Sequence, residues 1–240
     1  MAVAPRSLQQ RIVEATADRP DLFFVQIGAN DGLQGDPIHD LIVANAAWRG
    51  LFVEPVRFVF ERLQRNYQYD ARFVFENVAI GGANGRQKFW YLSGALRAAA
   101  ATDPRVRPLP FWFDQLGSFD RRHILKHFPG REQAIEPFIV EEDVLVMPLG
   151  DVLARHRVER VDFMHVDTEG FDYQVLRQID FARFRPRLIL YEHQHLSAAD
   201  QEAARQLLGA QGYECASLGP DTLATRGAAS RGGNAVGKSS

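Results

Sequence analysis

Two short motifs near the start of the chain have the residue types and spacing of a nucleoside-binding site. The apolar run 23–27 ends at the segment 28–32, which reads Gly-Ala-Asn-Asp-Gly, and the next apolar run, 51–53, ends at Glu54. Glycines let a chain turn sharply at a strand end and allow a ligand to lie against the backbone. A carboxylate at the end of the following strand can accept hydrogen bonds from both hydroxyls of a ribose. The pattern predicts adenosine binding, and an ordinary strand-to-helix turn with a solvated Glu54 is the alternative.

The glycine spacing distinguishes among the adenosine cofactors. A dinucleotide site needs G-x-G-x-x-G so that a helix N-terminus meets the pyrophosphate, whereas the glycines here are Gly28, Gly32 and Gly35. No Lys-Ser or Lys-Thr pair closes the turn, as a P-loop requires. S-adenosylmethionine has adenosine without phosphates and carries a sulfonium and an amino acid group, so it fits this segment best.

Two more polar clusters end predicted strands further along the chain. The strand that begins at 161 runs into residues 165–172 (His-Val-Asp-Thr-Glu-Gly-Phe-Asp), and the strand that begins at 187 runs into residues 191–195 (Tyr-Glu-His-Gln-His). Ligands of open α/β sheets bind outside the carboxyl ends of the strands. If these strands are neighbours, the two clusters converge on one reacting centre, whereas either cluster alone could be a solvated loop of charges.

The predicted catalytic residues in these clusters are Asp167, Glu192, His193 and His195. Methyl transfer from a sulfonium is an in-line displacement, so the protein must align the acceptor and, for a hydroxyl, take up or share its proton. Either His193 or His195 is the natural general base, since the pKa of a free histidine is about 6.5. Asp167 could orient that base, hold the amino group of the cofactor, or bind Mg²⁺ together with Glu192.

Composition narrows the class of protein further. The net charge of −2 gives no electrostatic footprint for a nucleic acid partner. The single cysteine, Cys215, excludes an internal disulfide and a cysteine-based zinc site. No stretch approaches the roughly 18 apolar residues that a membrane span needs. We therefore expect a cytoplasmic protein with a small-molecule partner.

Apolar runs alternate with helical patterns, which indicates a doubly wound, mostly parallel α/β sheet with helices on both faces. The predicted strands lie near 22–27, 50–53, 72–75, 161–166 and 187–191. The predicted helices lie near 37–47, 57–67, 149–156, 173–178 and 198–211. Segments 212–218 and 222–225 predict an antiparallel hairpin at the sheet edge.

The predicted domain organisation is an N-terminal helix within 1–20, one α/β domain over 21–226 and a disordered tail over 227–240. The tail is rich in glycine and serine and cannot bury a core. Residues 93–142 interrupt the α/β alternation with an aromatic insertion, helical in pattern near 119–128, where a short connection would suffice. We predict a substrate lid there, and a satellite hydrophobic cluster over one sheet face is the alternative.

Several of these segments, taken in order, resemble the FkbM family of S-adenosylmethionine-dependent methyltransferases. The similar segments are 25–32, 53–55, 77–81, 161–172, 175–176 and 191–193. They cover most of the chain between residues 23 and 195, and a D-x-E-G segment followed by a strand ending in an acid is distinctive of that family. Two positions depart from related enzymes, since Gln26 stands where many have an acid and His165 where many have lysine.

The resemblance implies a class I methyltransferase fold, with a Rossmann-like sheet of seven strands whose last strand is antiparallel. It also implies O-methylation of a hydroxyl of a sugar, glycan or other hydroxylated metabolite. By this similarity the cofactor residues would be Gly28, Asn30 and Gly32 for the methionine part, Glu54 for the ribose, and Glu76 or Asn77 for the adenine edge.

Two other functions remain open from the residues alone. An NAD-dependent oxidoreductase would need a pyrophosphate turn and usually a Tyr-x-x-x-Lys pair, and no such pair occurs in the sequence. A catalytically silent binding module could have kept the nucleotide fold, because a fold does not by itself establish a function.

Overall fold

The computed structural model describes residues 6–227, and most of them belong to helices and strands. The strands are β1 (Phe23–Ile27), β2 (Arg49–Val53), β3 (Phe73–Glu76), β4 (Ala79–Ile80), β5 (Gly85–Leu92), β6 (Gly117–Ser118), β7 (Ile139–Met147), β8 (Phe163–Val166), β9 (Leu188–Glu192), β10 (Tyr213–Leu218) and β11 (Asp221–Arg226). The α-helices are α1 (Leu8–Thr16), α2 (His39–Ala44), α3 (Arg57–Asn66), α4 (Ala95–Thr102), α5 (Arg121–Leu125), α6 (Glu132–Ile135), α7 (Leu149–Arg155), α8 (Asp172–Leu176) and α9 (Ala198–Ala210).

The central sheet has seven strands in the order β10-β11-β9-β8-β1-β2-β3. Strand β1 pairs in parallel with both β2 and β8, and β11 runs antiparallel between β9 and β10. Side chains alternate between the two faces, so Val25 packs into one hydrophobic cluster and Phe24 into another. The predicted mostly parallel α/β sheet is therefore confirmed, and its C-terminal hairpin places the last strand inside the sheet and β10 at the edge.

The five predicted parallel strands begin and end within two residues of their predicted bounds. Helix α2 is shorter than the pattern indicated, and α1 forms within the predicted N-terminal segment. The predicted disordered tail lies outside the described residues apart from Gly227. Within residues 6–227, no helix has the length and apolar character needed to cross a membrane.

A second, four-stranded sheet, in the order β4-β7-β5-β6, supports the aromatic insertion. Its main part is an antiparallel ladder between β5 and β7 that runs from the pair Gly85 and Val146 to the pair Leu92 and Ile139. The sequence patterns did not predict these strands, and β7 begins inside the predicted insertion 93–142. The insertion buries a hydrophobic cluster of its own, made of Leu92, Leu96, Val106, Phe113, Leu116, Ile124, Phe128 and Ile135.

The turn after β1 packs directly against the backbone that follows β8. Gly28 has a φ of 73°, and a Cβ atom added there would lie 1.7 Å from the carbonyl oxygen of Asp167. The N–H of Gly28 donates to the carbonyl of Val53 at 3.0 Å, and the N–H of Asp167 donates to the carbonyl of Ile27 at 2.9 Å. The carboxyl ends of β1, β2 and β8 are thus joined at a position where only glycine fits.

Replacing Gly28 with alanine is expected to destabilise the fold strongly. The methyl group would meet backbone atoms that cannot rotate away, and the left-handed conformation itself costs roughly 1–2 kcal/mol for a non-glycine residue. We expect Gly28→Ala to lower the free energy of unfolding in urea by at least about 3 kcal/mol.

Gly209 provides the matched control for this substitution. It lies in α9, and a Cβ added there would meet no atom within 4 Å. Gly209→Ala should raise stability by up to about 1 kcal/mol, because alanine favours the helix. Equal stability of the two variants would contradict the close contact at Gly28.

Candidate active site

A cavity with about 920 Å³ of empty space, part of it open to solvent, lies at the carboxyl ends of β1, β2 and β8. The turns that follow these three strands form its inner wall. The insertion contributes part of the outer wall through Asp114, Gln115, Gly117 and Phe119. The insertion therefore packs its own core and also borders the cavity, while its action as a lid stays a prediction.

Glu54 lies at the edge of this cavity with its carboxylate held by the backbone. Its Oε2 accepts a hydrogen bond from the N–H of Asn30 at 2.9 Å, and its Oε1 accepts one from the N–H of Val56 at 2.8 Å. Burial raises the pKa of Glu54 to about 7, although these two hydrogen bonds act in the opposite direction. Each oxygen keeps a further lone pair, so the group can still accept hydrogen bonds from a ligand.

Gln26 and His165 are two polar residues that line the cavity from inside the sheet. They are register partners on β1 and β8, and both side chains are buried. The Nε2 of Gln26 donates to Oδ2 of Asp36 at 3.0 Å, but Oε1 of Gln26 and Nδ1 of His165 have no hydrogen-bond partner among the described residues. Buried polar atoms are nearly always paired in folded proteins, so these two atoms are free to hydrogen-bond a ligand in the cavity.

Asp167 lines the cavity from the segment that follows β8. Burial raises its pKa well above the usual value, and the nearby carboxyl of Glu169 adds to this effect. Behind it, the carboxylate of Asp172 accepts hydrogen bonds from Oγ1 of Thr168 at 3.0 Å and from the N–H of Gly170 at 3.3 Å. Asp172 therefore holds the loop in a shape that keeps Asp167 at the cavity.

Of the other predicted cofactor residues, Gly28 and Asn30 line the cavity and Gly32 does not. Gly32 lies against α3, where an added Cβ would lie 2.5 Å from the ring of Tyr67 and 2.6 Å from Leu63. Its structural role is to let α3 approach the turn after β1.

Glu76 and Asn77 also lie outside the cavity lining. The carboxylate of Glu76 accepts a hydrogen bond from Nη1 of Arg155 at 2.9 Å and contacts Nε2 of His156. The amide of Asn77 donates to the carbonyl of Glu54 at 2.8 Å. Asn77 thus supports the loop that carries Glu54.

The structure separates the three predicted catalytic residues at the end of β9. His193 lies outside the cavity lining, with Nδ1 at 3.0 Å from Oγ1 of Thr222. Glu192 pairs with Asp221 across the sheet, and burial followed by the charge of Asp167 raises its pKa to about 10. His195 lies beside the cavity, with Nε2 at 3.5 Å from Oε2 of Glu169.

Some cavity residues were not among the predicted site residues. Gln26 and His165 could have been found, because both are polar residues inside apolar strands. Asp36 and Gln115 carry no sequence signal, since Asp36 lies in the loop after β1 and Gln115 in the insertion, and the sequence pattern does not fix the course of either segment.

Comparison with known proteins identifies the chain's relatives. The model of the methyltransferase FkbM domain matches residues 26–215, as the resemblance implied. The crystal structure of a methyltransferase FkbM from Methylobacillus flagellatus is 16% identical in sequence, with a TM-score of 0.50. The match covers 86% of this chain but only 44% of that chain, and at this identity it shows a shared fold.

A precorrin-6y C5,15-methyltransferase from Geobacter metallireducens has a TM-score of 0.43 at 9% identity, with 95% of this chain and 94% of that chain covered. No curated protein matches this chain. The predicted class I methyltransferase fold is confirmed by the domain match and the solved FkbM structure.

Glu54 should give the unliganded protein a measurable pH dependence of stability. Its pKa rises from 4.5 to about 7 on folding, so between these values the folded protein holds a proton that the unfolded chain has lost. Stability from this group is present below pH 4.5 and falls as pH rises to 7, by roughly 3 kcal/mol in total. We expect Glu54→Gln to lack this pH-dependent contribution. In urea unfolding, the free energy of unfolding of the variant should therefore rise relative to that of the wild type between pH 4.5 and 7.

The comparison with the variant removes the contribution of other groups. Burial lowers the pKa values of His123, His127 and His195 to about 4, so their contribution rises with pH between about 4 and 6.5 and has the opposite sign. This histidine contribution is the same in the wild type and in Glu54→Gln, so it cancels in the comparison. A stability difference that stays constant from pH 4.5 to 7 would contradict a raised pKa at Glu54.

Proposed function

The chain belongs to the methyltransferase FkbM family, and on that basis we propose that it transfers the methyl group of S-adenosylmethionine to a hydroxyl. We propose a sugar, a glycan or another hydroxylated metabolite as the acceptor. The observation that carries the proposal is the cavity at the ends of β1, β2 and β8, where the Gly28 turn and the carboxylate of Glu54 meet.

The residues around this cavity fit the parts of such a cofactor. The turn at Gly28, Ala29 and Asn30 lines the cavity, so a ligand can lie against its backbone. Glu54 has free lone pairs for the hydroxyls of a ribose, and apolar residues beside it, which include Val56 and Ile80, can pack against an adenine ring. The unpaired Oε1 of Gln26 can accept a hydrogen bond from the ammonium of the methionine part.

The charge of the cavity favours a cationic cofactor over a dinucleotide. Asp36, Glu54, Asp167 and Glu169 all line it, and burial raises the pKa values of the last three. A sulfonium and an ammonium would favour the ionised form of these carboxyls, whereas a pyrophosphate would be repelled by them. S-adenosylmethionine supplies the methyl group on its sulfonium, and this set of residues supplies the opposite charge.

Asp167 is the group that we propose for the acceptor proton. It lines the cavity, and its raised pKa makes it a stronger base than an ordinary carboxylate. His193, the candidate from the sequence, hydrogen-bonds Thr222 outside the lining. The hypothesis of Mg²⁺ between Asp167 and Glu192 stays a prediction, and addition of Mg²⁺ to the turnover assay tests it.

Calorimetric titration of the full chain with S-adenosylhomocysteine tests the cofactor site. We expect binding, which Glu54→Ala should weaken by roughly 1–3 kcal/mol, or about 5–150-fold, because it removes a charged acceptor. Gln26→Leu should also weaken binding, since it removes an oxygen that has no partner among the described residues.

Glu76→Gln is the matched control, because this partly buried carboxylate pairs with Arg155 and His156 outside the cavity. Its affinity for S-adenosylhomocysteine should equal that of the wild type. Binding of NAD⁺ in place of S-adenosylhomocysteine, or weakening by Glu76→Gln alone, would contradict the proposed site.

Transfer of labelled methyl groups to a panel of sugars and glycans tests the reaction. With any hydroxyl compound that is methylated, Asp167→Asn should lower kcat by roughly 10²–10⁴-fold without loss of S-adenosylhomocysteine binding. The same measurement on His193→Gln should show a much smaller loss. The reverse result would assign the proton to His193, and methylation of amines or thiols alone would overturn the hydroxyl acceptor.

A further inference from the structure

Three histidines meet Glu169 at the outer edge of the cavity, and of these four residues only Glu169 also lines the cavity. His123 lies on α5 of the insertion and His127 lies one helical turn further on. Glu169 follows β8, and His195 follows β9. One ligand atom from each of the four residues lies within 4.8 Å of the others, so three separate segments of the chain bring their donors to one point.

The hydrogen bonds within this cluster leave it under-satisfied. Nε2 of His123 lies 2.7 Å from Oε2 of Glu169, and Nε2 of His195 lies 3.5 Å from the same oxygen. Nε2 of His127 is buried and has no partner among the described residues. Oε2 of Glu169 is therefore hydrogen-bonded to one imidazole and lies near a second, while the buried nitrogen of the third imidazole is unpaired.

The three imidazole rings also pack closely against one another. The three imidazole centroids are 5.0–5.1 Å apart in all three pairs, and the rings are tilted or perpendicular. One nitrogen of each ring therefore lies within 4.8 Å of a nitrogen of the other two.

We infer that His123, His127, Glu169 and His195 form a binding site for a divalent transition metal ion of the zinc type. Imidazole nitrogens suit zinc and its neighbours, whereas Mg²⁺ prefers oxygen ligands. Three nitrogens and one carboxylate oxygen complete a tetrahedral shell. Ligand atoms around zinc lie about 3.3 Å apart for metal bonds of about 2.0 Å, so the side chains must close in by about 1.5 Å at most from their present positions.

A metal ion at this point would fasten the insertion to the sheet. Two of its ligands come from the insertion, and the other two come from the ends of β8 and β9. The nearby rings of Phe119 and Phe171 meet edge to face at 5.3 Å, and both rings line the cavity. The ion would thus hold the outer wall of the cavity in place.

Lys126 is the cation closest to the cluster among its described neighbours. Its Nζ lies 3.5 Å from Nδ1 of His195, whereas the Nε2 atom of that ring faces Glu169. The Lys126 side chain is exposed, so it can turn into solvent when an ion binds. Its charge should weaken metal binding, which makes Lys126→Gln an informative variant.

Zinc titration of the metal-free full chain, in competition with a chromophoric chelator, tests the inference. We expect one Zn²⁺ per chain, with affinity lowered more than about 100-fold in His123→Gln and in His127→Gln, since loss of even an outer-shell partner typically costs 10–100-fold. Lys126→Gln should bind zinc at least as tightly as the wild type. Co²⁺ in place of Zn²⁺ should give the intense visible absorption of a tetrahedral site, and Mg²⁺ should not compete.

His156→Gln is the matched control, because His156 is a partly buried histidine that contacts Glu76 outside the cluster. Cooperative thermal unfolding shows that each variant is folded, and Zn²⁺ should raise the Tm of the wild type and of His156→Gln but not that of His127→Gln. Absence of zinc binding by the wild type, or equal affinity in the wild type and His127→Gln, would overturn the site. Both readouts are independent of methyl transfer, so they stand apart from any failure of the proposed function.

Discussion

The contact between Gly28 and the carbonyl group of Asp167 is the constraint on which the site depends. Because the carbonyl oxygen of Asp167 takes the place of a side chain at Gly28, the segment after β1 packs directly on the segment after β8, and the hydrogen bond from Gly28 to Val53 adds β2. The groups on the inner wall of the cavity follow one of these three strands within a few residues. Sheet register therefore sets their positions, and the longer loops only complete the outer wall.

At this edge of the sheet, burial shifts the pKa values of acids and of histidines in opposite directions, and both shifts favour the neutral form of the group. Burial raises the pKa values of Glu54 and Asp167 and lowers those of the histidines beside them. In both cases the folded protein favours the neutral form of the group. The edge is thus poor in charge while it is empty, and a charged ligand would gain both from the carboxylates it ionises and from the low dielectric around them.

The sequence allowed prediction of the features that depend on local patterns. Gly28, Glu54 and Asp167 were found because apolar runs define strand ends, and parallel strands bring those ends together. His193 and His195 could not be separated, because only the contacts of His193 with Thr222 and of His195 with Glu169, both from other strands' ends, show that His195 is the one beside the cavity. The role of Glu76 depended on Arg155 and His156 from a distant helix. Strands β5 and β7 were missed because their pairing spans the whole insertion, and nothing local to either strand indicates its partner.

The β5 and β7 ladder has a consequence for how proteins of this kind can diverge. Its last pair, Leu92 and Ile139, sets the two ends of the insertion side by side, so the intervening chain leaves and returns at one place. Lengthening or replacing that stretch changes neither the register of the central sheet nor the Gly28 contact. Related proteins can therefore differ in the insertion that starts and ends at this ladder. Such differences change the outer wall of the cavity, and with it the acceptor that fits, while the inner wall stays the same.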